Sequence, residues 1–105
     1  MNRIEFQFAV APDHPSLAGH FPGNPVVPGV LLLDRAMEAL DRSTGQRVTS
    51  LHRVKFVSAL RPGEMAEGTW DVEGDRATFR ITRRRDGAPA KVAEGSCAVS
   101  GTIGT

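Results

Sequence analysis

The chain has 105 residues, 40% of them hydrophobic and 24% charged, with a net charge of +1. These are the proportions of an ordinary soluble domain, and they provide no global pull toward nucleic acid or a membrane surface. The single cysteine, Cys97, excludes an internal disulfide and fits a reducing compartment, and no apolar run approaches the roughly 20 residues of a membrane span. The length predicts one domain, residues 1–105, with a single core that is marginal if it must enclose a tunnel unaided.

In chain order, Met1 to Phe8 alternates apolar and polar residues instead of forming an apolar block. This predicts no signal peptide, a cytoplasmic location, and a half-buried strand through Ile4, Phe6, Phe8 and Val10. Ala11 to Val27 has no period and carries four of the seven prolines, which predicts a long loop of the kind usually kept for function. Pro28 suits a first helical turn, where its missing N–H costs nothing. From there to about Arg42 the apolar positions Val30, Leu31, Leu32, Leu33, Ala36, Met37, Ala39 and Leu40 surround most of the circumference. This predicts a buried helix that stops near Gly45. Strands are expected over Val48–Leu60, Met65–Val72, Arg76–Arg84 and Ala90–Val99, separated by turns at Arg61-Pro62-Gly63, Glu73-Gly74-Asp75 and Asp86-Gly87. A strand, a long helix and a run of antiparallel strands make an α+β domain with a helix on a curved sheet.

The chemistry concentrates in residues 20–34, His-Phe-Pro-Gly-Asn-Pro-Val-Val-Pro-Gly-Val-Leu-Leu-Leu-Asp. Pro22, Pro25 and Pro28 restrict φ along the loop, while Gly23 and Gly29 permit close backbone approach. The run therefore presents His20 on a stiff loop, free amides at a helix start, and the carboxylate of Asp34 farther into that helix.

This pattern, H-F-P-G-x-P-x-x-P-G-V-L-x-x-(D/E), resembles the signature of the hotdog-fold 3-hydroxyacyl-acyl-carrier-protein dehydratases of fatty-acid and aryl-polyene synthesis. Val54-Lys55-Phe56 and Arg61-Pro62-Gly63-Glu64 weakly echo a second stretch of that family. The resemblance implies a hotdog fold, in which a long helix is wrapped by an antiparallel sheet, and a catalytic pair His20 and Asp34. It places the thioester carbonyl against the amides of Gly29 and Val30, with Phe21, Pro22, Gly23 and Pro28 shaping the loop. It also implies an acyl carrier protein as partner, no cofactor, and a homo-oligomer built from dimers whose sites lie between subunits. Where the long-chain enzymes generally carry Glu, this chain has Asp34. The family's Gln becomes Glu38, one turn beyond Asp34, and a small residue becomes Arg35.

Dehydration of a 3-hydroxyacyl thioester needs a base, an acid for the departing oxygen, and donors for charge on the thioester oxygen. Imidazole titrates near working pH, a carboxyl in an apolar site is held protonated, and first-turn amides lack intrahelical partners. A plain structural role for each residue is the rival reading: His20 as a loop hydrogen-bonder, and Asp34 on a polar stripe with Glu38, Asp41 and Arg42. Ser16 lacks the elbow of a hydrolase nucleophile, and His14, His20, His52 and Asp13 have no metal-ligand spacing. Arg83, Arg84 and Arg85 read either as solvated loop charge or, with Arg53, Lys55 or Arg61, as a docking patch for an acidic carrier protein. A non-catalytic hotdog partner that binds acyl thioesters and a hotdog thioesterase are the alternative functions.

Overall fold

The computed structural model describes residues 2–17, 26–85 and 87–100. Five strands form one antiparallel sheet: β1 (Asn2–Phe8), β2 (Val48–Phe56), β3 (Ala66–Glu73), β4 (Arg76–Arg85) and β5 (Ala88–Val99). Their spatial order is β1-β3-β4-β5-β2. The helix α1 (Gly29–Thr44) carries the chain from β1 at one edge to β2 at the other. The hotdog fold expected from the sequence is therefore present.

One face of the sheet is apolar because the strands alternate. Ala66, Trp70 and Val72 of β3 and Ala77, Phe79 and Ile81 of β4 are buried, while the residues between them are more exposed. Against this face α1 sets Leu31, Leu32, Ala36 and Leu40. Trp70 and Phe79 pack with ring centroids 5.2 Å apart, and the Trp70 indole N–H donates to the Ala36 carbonyl at 2.7 Å. That bond ties the middle of the helix to the middle of β3. It also satisfies the one polar atom of a side chain that is only 1% exposed.

The turns follow the glycines. Gly45 ends the helix in the left-handed region, φ 76°, and its N–H returns to the Asp41 carbonyl at 2.8 Å. Beyond it Gln46 is fully buried, donating to the Ser100 carbonyl at 2.6 Å and to that of Gly74 at 3.4 Å, so it ties the helix end to the β3–β4 turn and to the residue after β5. Cys97 lies inside β5 between Leu51 and Ala77, and burial pushes its thiol up to about 11.

Three expectations need correction. The helix is not covered all round: Val30 is 75% exposed and the Asp34 side chain 63%, because α1 packs toward β1 and β3 and leaves its other flank open. The expected strand to Leu60 ends at Phe56, where the Val57 and Ser58 amides both turn to the Val92 carbonyl and Leu60 instead receives the Val27 N–H. The first strand ends at Phe8, and the following loop contains a short 3₁₀ turn, Pro15–Leu17.

Candidate active site

Among the described residues no side chain caps the start of α1. Pro28 occupies the cap position with extended backbone and no capping side chain, and its carbonyl takes the amides of Leu31 and Leu32 at 3.0 and 3.3 Å. Among the described residues no acceptor meets the N–H of Gly29 or Val30. Two free donors at a helix start form a small electropositive spot. Pro28 explains this, since proline is favoured at a helix start yet has no side-chain oxygen to cap it.

Asp34 follows Val30 by one turn on the same face, about 7.5 Å along the axis from Gly29. Helical side chains tilt toward the N-terminus, so Asp34 lies on the face that Val30 opens. Its ion contact is long: Arg35 Nη1 stands 3.7 Å from Asp34 Oδ2 and 3.9 Å from Glu38 Oε2. Glu38 is taken instead by Arg42, at 2.7 Å. The like-charge pair expected from the sequence is therefore divided between two arginines, and Asp34 keeps open oxygens. The apolar enclosure expected around it is not supplied by the described residues.

Gly29 is small for a visible reason. A Cβ built there would stand 2.7 Å from Phe56 Cζ and 2.9 Å from a neighbouring ring carbon. Phe56 ends β2 with its ring over the first helical turn and half exposed. The sequence offered a cue in the Val54-Lys55-Phe56 echo, but no role followed from it.

His20, Phe21, Pro22 and Gly23 lie outside the described residues. Pro28, Gly29, Val30 and Asp34 lie at the cap and in the first two turns of α1. Arg83, Arg84 and Arg85 end β4 on the hairpin to β5. Arg83 Nε donates to the Ala59 carbonyl at 2.9 Å. Arg84 is mostly exposed, 3.9 Å from Glu67. Arg85 grips Glu64 through Nε and Nη2 at 2.7 and 2.6 Å, while the Arg61 N–H donates to Glu64 Oε1 at 2.7 Å. The Arg85 guanidinium above all holds the Glu64 carboxyl down to about 2; burial, the next largest effect, opposes it, and the Arg61 amide adds to the lowering. This clasp fixes the loop after β2 to the β4–β5 hairpin, and no pattern in the chain pointed to it. A groove of about 450 Å³ on the open sheet face, between Arg3, Arg53, Lys55, Arg80 and Glu94, includes none of the α1 residues. Among the described residues no group of three or more His, Cys, Asp or Glu is placed to hold a metal, and no helix is long and apolar enough to cross a membrane.

One helix laid on a five-stranded antiparallel sheet, with bare amides at its start and an acid one turn on, makes this a hotdog-fold protein. A family model described as ApeI-like: ApeI dehydratase matches residues 1–96. The chain belongs to that family of hotdog dehydratases. It is 37% identical to the 3-hydroxyacyl-acyl-carrier-protein dehydratase FabZ of Oenococcus oeni, over 59% of this chain and 51% of that protein. The chain spans between half and two thirds of the length of the first two curated relatives it matches. In structure it is similar to the dehydratase heterocomplex ApeI:P from Xenorhabdus doucetiae, with a TM-score of 0.77 at 24% identity over 92% of this chain and 86% of that one. It is also similar to a hexameric acyl-CoA thioesterase, with a TM-score of 0.68 at 16% identity over 94% and 68%. At such identities these two likenesses show the shared fold.

Proposed function

We propose that the protein is a 3-hydroxyacyl thioester dehydratase acting on substrates carried by an acyl carrier protein. The observation that carries this reading is the pairing of bare Gly29 and Val30 amides with the open carboxylate of Asp34 on one helix face, in a chain of this family. His20 takes a proton from the carbon next to the thioester carbonyl, and the charge that develops on the thioester oxygen is met by the two amides. The bond from the third carbon to its hydroxyl breaks, Asp34 gives the leaving oxygen a proton, and water departs with a 2-enoyl thioester left behind. A positioned acid or base contributes about 10²–10⁴ in rate, and an oxyanion donor about 10²–10³.

Asp34 needs apolar cover to hold that proton, and a second copy of the chain supplies it in this reading. β2 is an edge strand, and Leu51, Phe56 and Val57 are exposed on and just after it, beside the open flank of α1. Joining two sheets there buries apolar area and an unpaired edge, and it brings His20 of one subunit to Asp34 of the other. Arg84, with Arg83 and Arg85 beside it, is offered to the acidic carrier protein, and the working location is the cytoplasm.

The test is hydration of a crotonyl-type thioester followed by ultraviolet absorbance, with wild type and His20→Ala compared. Wild-type turnover lost by at least a hundredfold in His20→Ala is the expected result. Release of free thiol from a saturated thioester without any hydration would favour the thioesterase alternative.

A further inference from the structure

We infer that Phe56 selects the acyl chain at the carbon next to the thioester, by standing against that carbon when the carbonyl rests on the first turn of α1. The inference deepens the dehydratase reading and rests on its placement of the thioester at the Gly29 and Val30 amides.

The argument is geometric. In the first turn of a helix the free N–H groups point toward the N-terminus, and the Cα–Cβ vector tilts the same way. Three carbons of the Phe56 ring lie 2.7, 2.9 and 3.1 Å from the ideal Cβ position of Gly29. The ring therefore stands directly against Gly29, the residue whose N–H is to hold the thioester oxygen. A carbonyl oxygen accepting from that amide sits at about 2.9 Å, and the carbon next to the carbonyl is only two bonds from that oxygen. Carbonyl and ring then both abut Gly29, which brings the carbon next to the carbonyl up to the ring.

Phe56 is well suited to this. It faces inward on β2, opposite Ala93 of β5, yet on this edge strand it is 51% exposed. Its backbone is fixed by pairing with β5 up to the point where Val57 turns to the Val92 carbonyl at 2.8 Å. A half-exposed aromatic ring on a fixed strand offers a flat wall. It accommodates the two hydrogens of an unsubstituted carbon and crowds a methyl branch.

The experiment uses two probes that neither hydrate nor hydrolyse, the butanoyl and 2-methylbutanoyl amides of aminopantetheine. Their binding to wild type, Phe56→Ala and Phe56→Leu is followed by NMR titration, with the Gly29 and Val30 amide signals as the readout. Wild type is expected to prefer the unbranched probe by at least tenfold, and Phe56→Ala to reduce that preference below threefold, with Phe56→Leu between them. If Phe56→Ala does not fold, the Leu variant decides alone. A preference unchanged in the folded variants overturns the inference, whatever happens to absolute affinity. Wild type that binds both probes equally, or neither, also overturns it. A wild type that shows the preference but hydrates no enoyl thioester defeats the dehydratase reading alone and leaves the inference to the variants.

Discussion

Replacing Glu64 with Gln removes the charge from the clasp that holds the loop after β2. Glu64 accepts three hydrogen bonds of 2.6 to 2.7 Å, two from one guanidinium, the bidentate geometry that makes charge-assisted pairs strong. A carboxyl lowered from 4.5 to about 2 corresponds to roughly 3 kcal/mol as an upper bound. The side chains of Arg85 and Glu64 remain 27% and 17% exposed, so solvent and salt screening reduce this to about 1–2 kcal/mol. For a domain of this size that is a fall in melting temperature of about 5–10 °C at pH 7. Because the folded group is the stronger acid, its contribution is complete above its ordinary range and disappears as pH falls from 4.5 toward 2. More than half should be gone by about pH 3. The assay is urea unfolding of wild type and Glu64→Gln between pH 7 and pH 3 at fixed ionic strength. A stability difference that is absent at pH 7, or that stays constant down to pH 3, would refute the reasoning.

Trp70→Phe should cost about 2 kcal/mol in the same unfolding assay, from the lost bond to Ala36 and the smaller buried ring, and a loss below about 0.5 kcal/mol would show that the helix does not depend on that bond. Asp34→Asn should lower kcat by about 10²–10⁴ with KM and melting temperature little changed; near-wild-type turnover with a lowered melting temperature would instead make Asp34 a structural partner of Arg35. Light scattering at micromolar concentration should report a dimer or a multiple of one, and a monodisperse monomer would contradict it. Mixing His20→Ala with Asp34→Asn subunits should restore part of the activity if the two groups meet across that dimer, and no recovery after exchange verified by mass would place them in one subunit.

The elements written in the sequence were those with local causes. Pro28 and Gly45 bracket the helix, and Gly63, Gly74 and Gly87 each take the positive φ that their turns demanded. The alternation of Ala77, Phe79 and Ile81 in the sequence matches the buried face of β4. What stayed hidden depends on which distant segments meet. Nothing near Trp70 in the chain announces Ala36, and nothing in Arg83-Arg84-Arg85 says that two of the three are engaged by Ala59 and Glu64. The helix looked buried because its composition records every surface it meets, including any met only in an assembly, whereas one chain covers a single flank. Asp34 and Gly29 were legible as a pair because both lie on one short stretch of helix. Phe56 reaches the same spot from the opposite side of the sequence.

Cys97 has a practical use that follows from its place in the sheet. It is the chain's one thiol, 1% exposed, and burial keeps it protonated at ordinary pH. A thiol reagent reaches it only when β5 separates from β2 or β4, so its labelling rate counts openings of the central sheet. Subunits that trade partners as intact bodies would leave this clock unchanged, while subunits that must unfold to exchange would advance it in step with mixing.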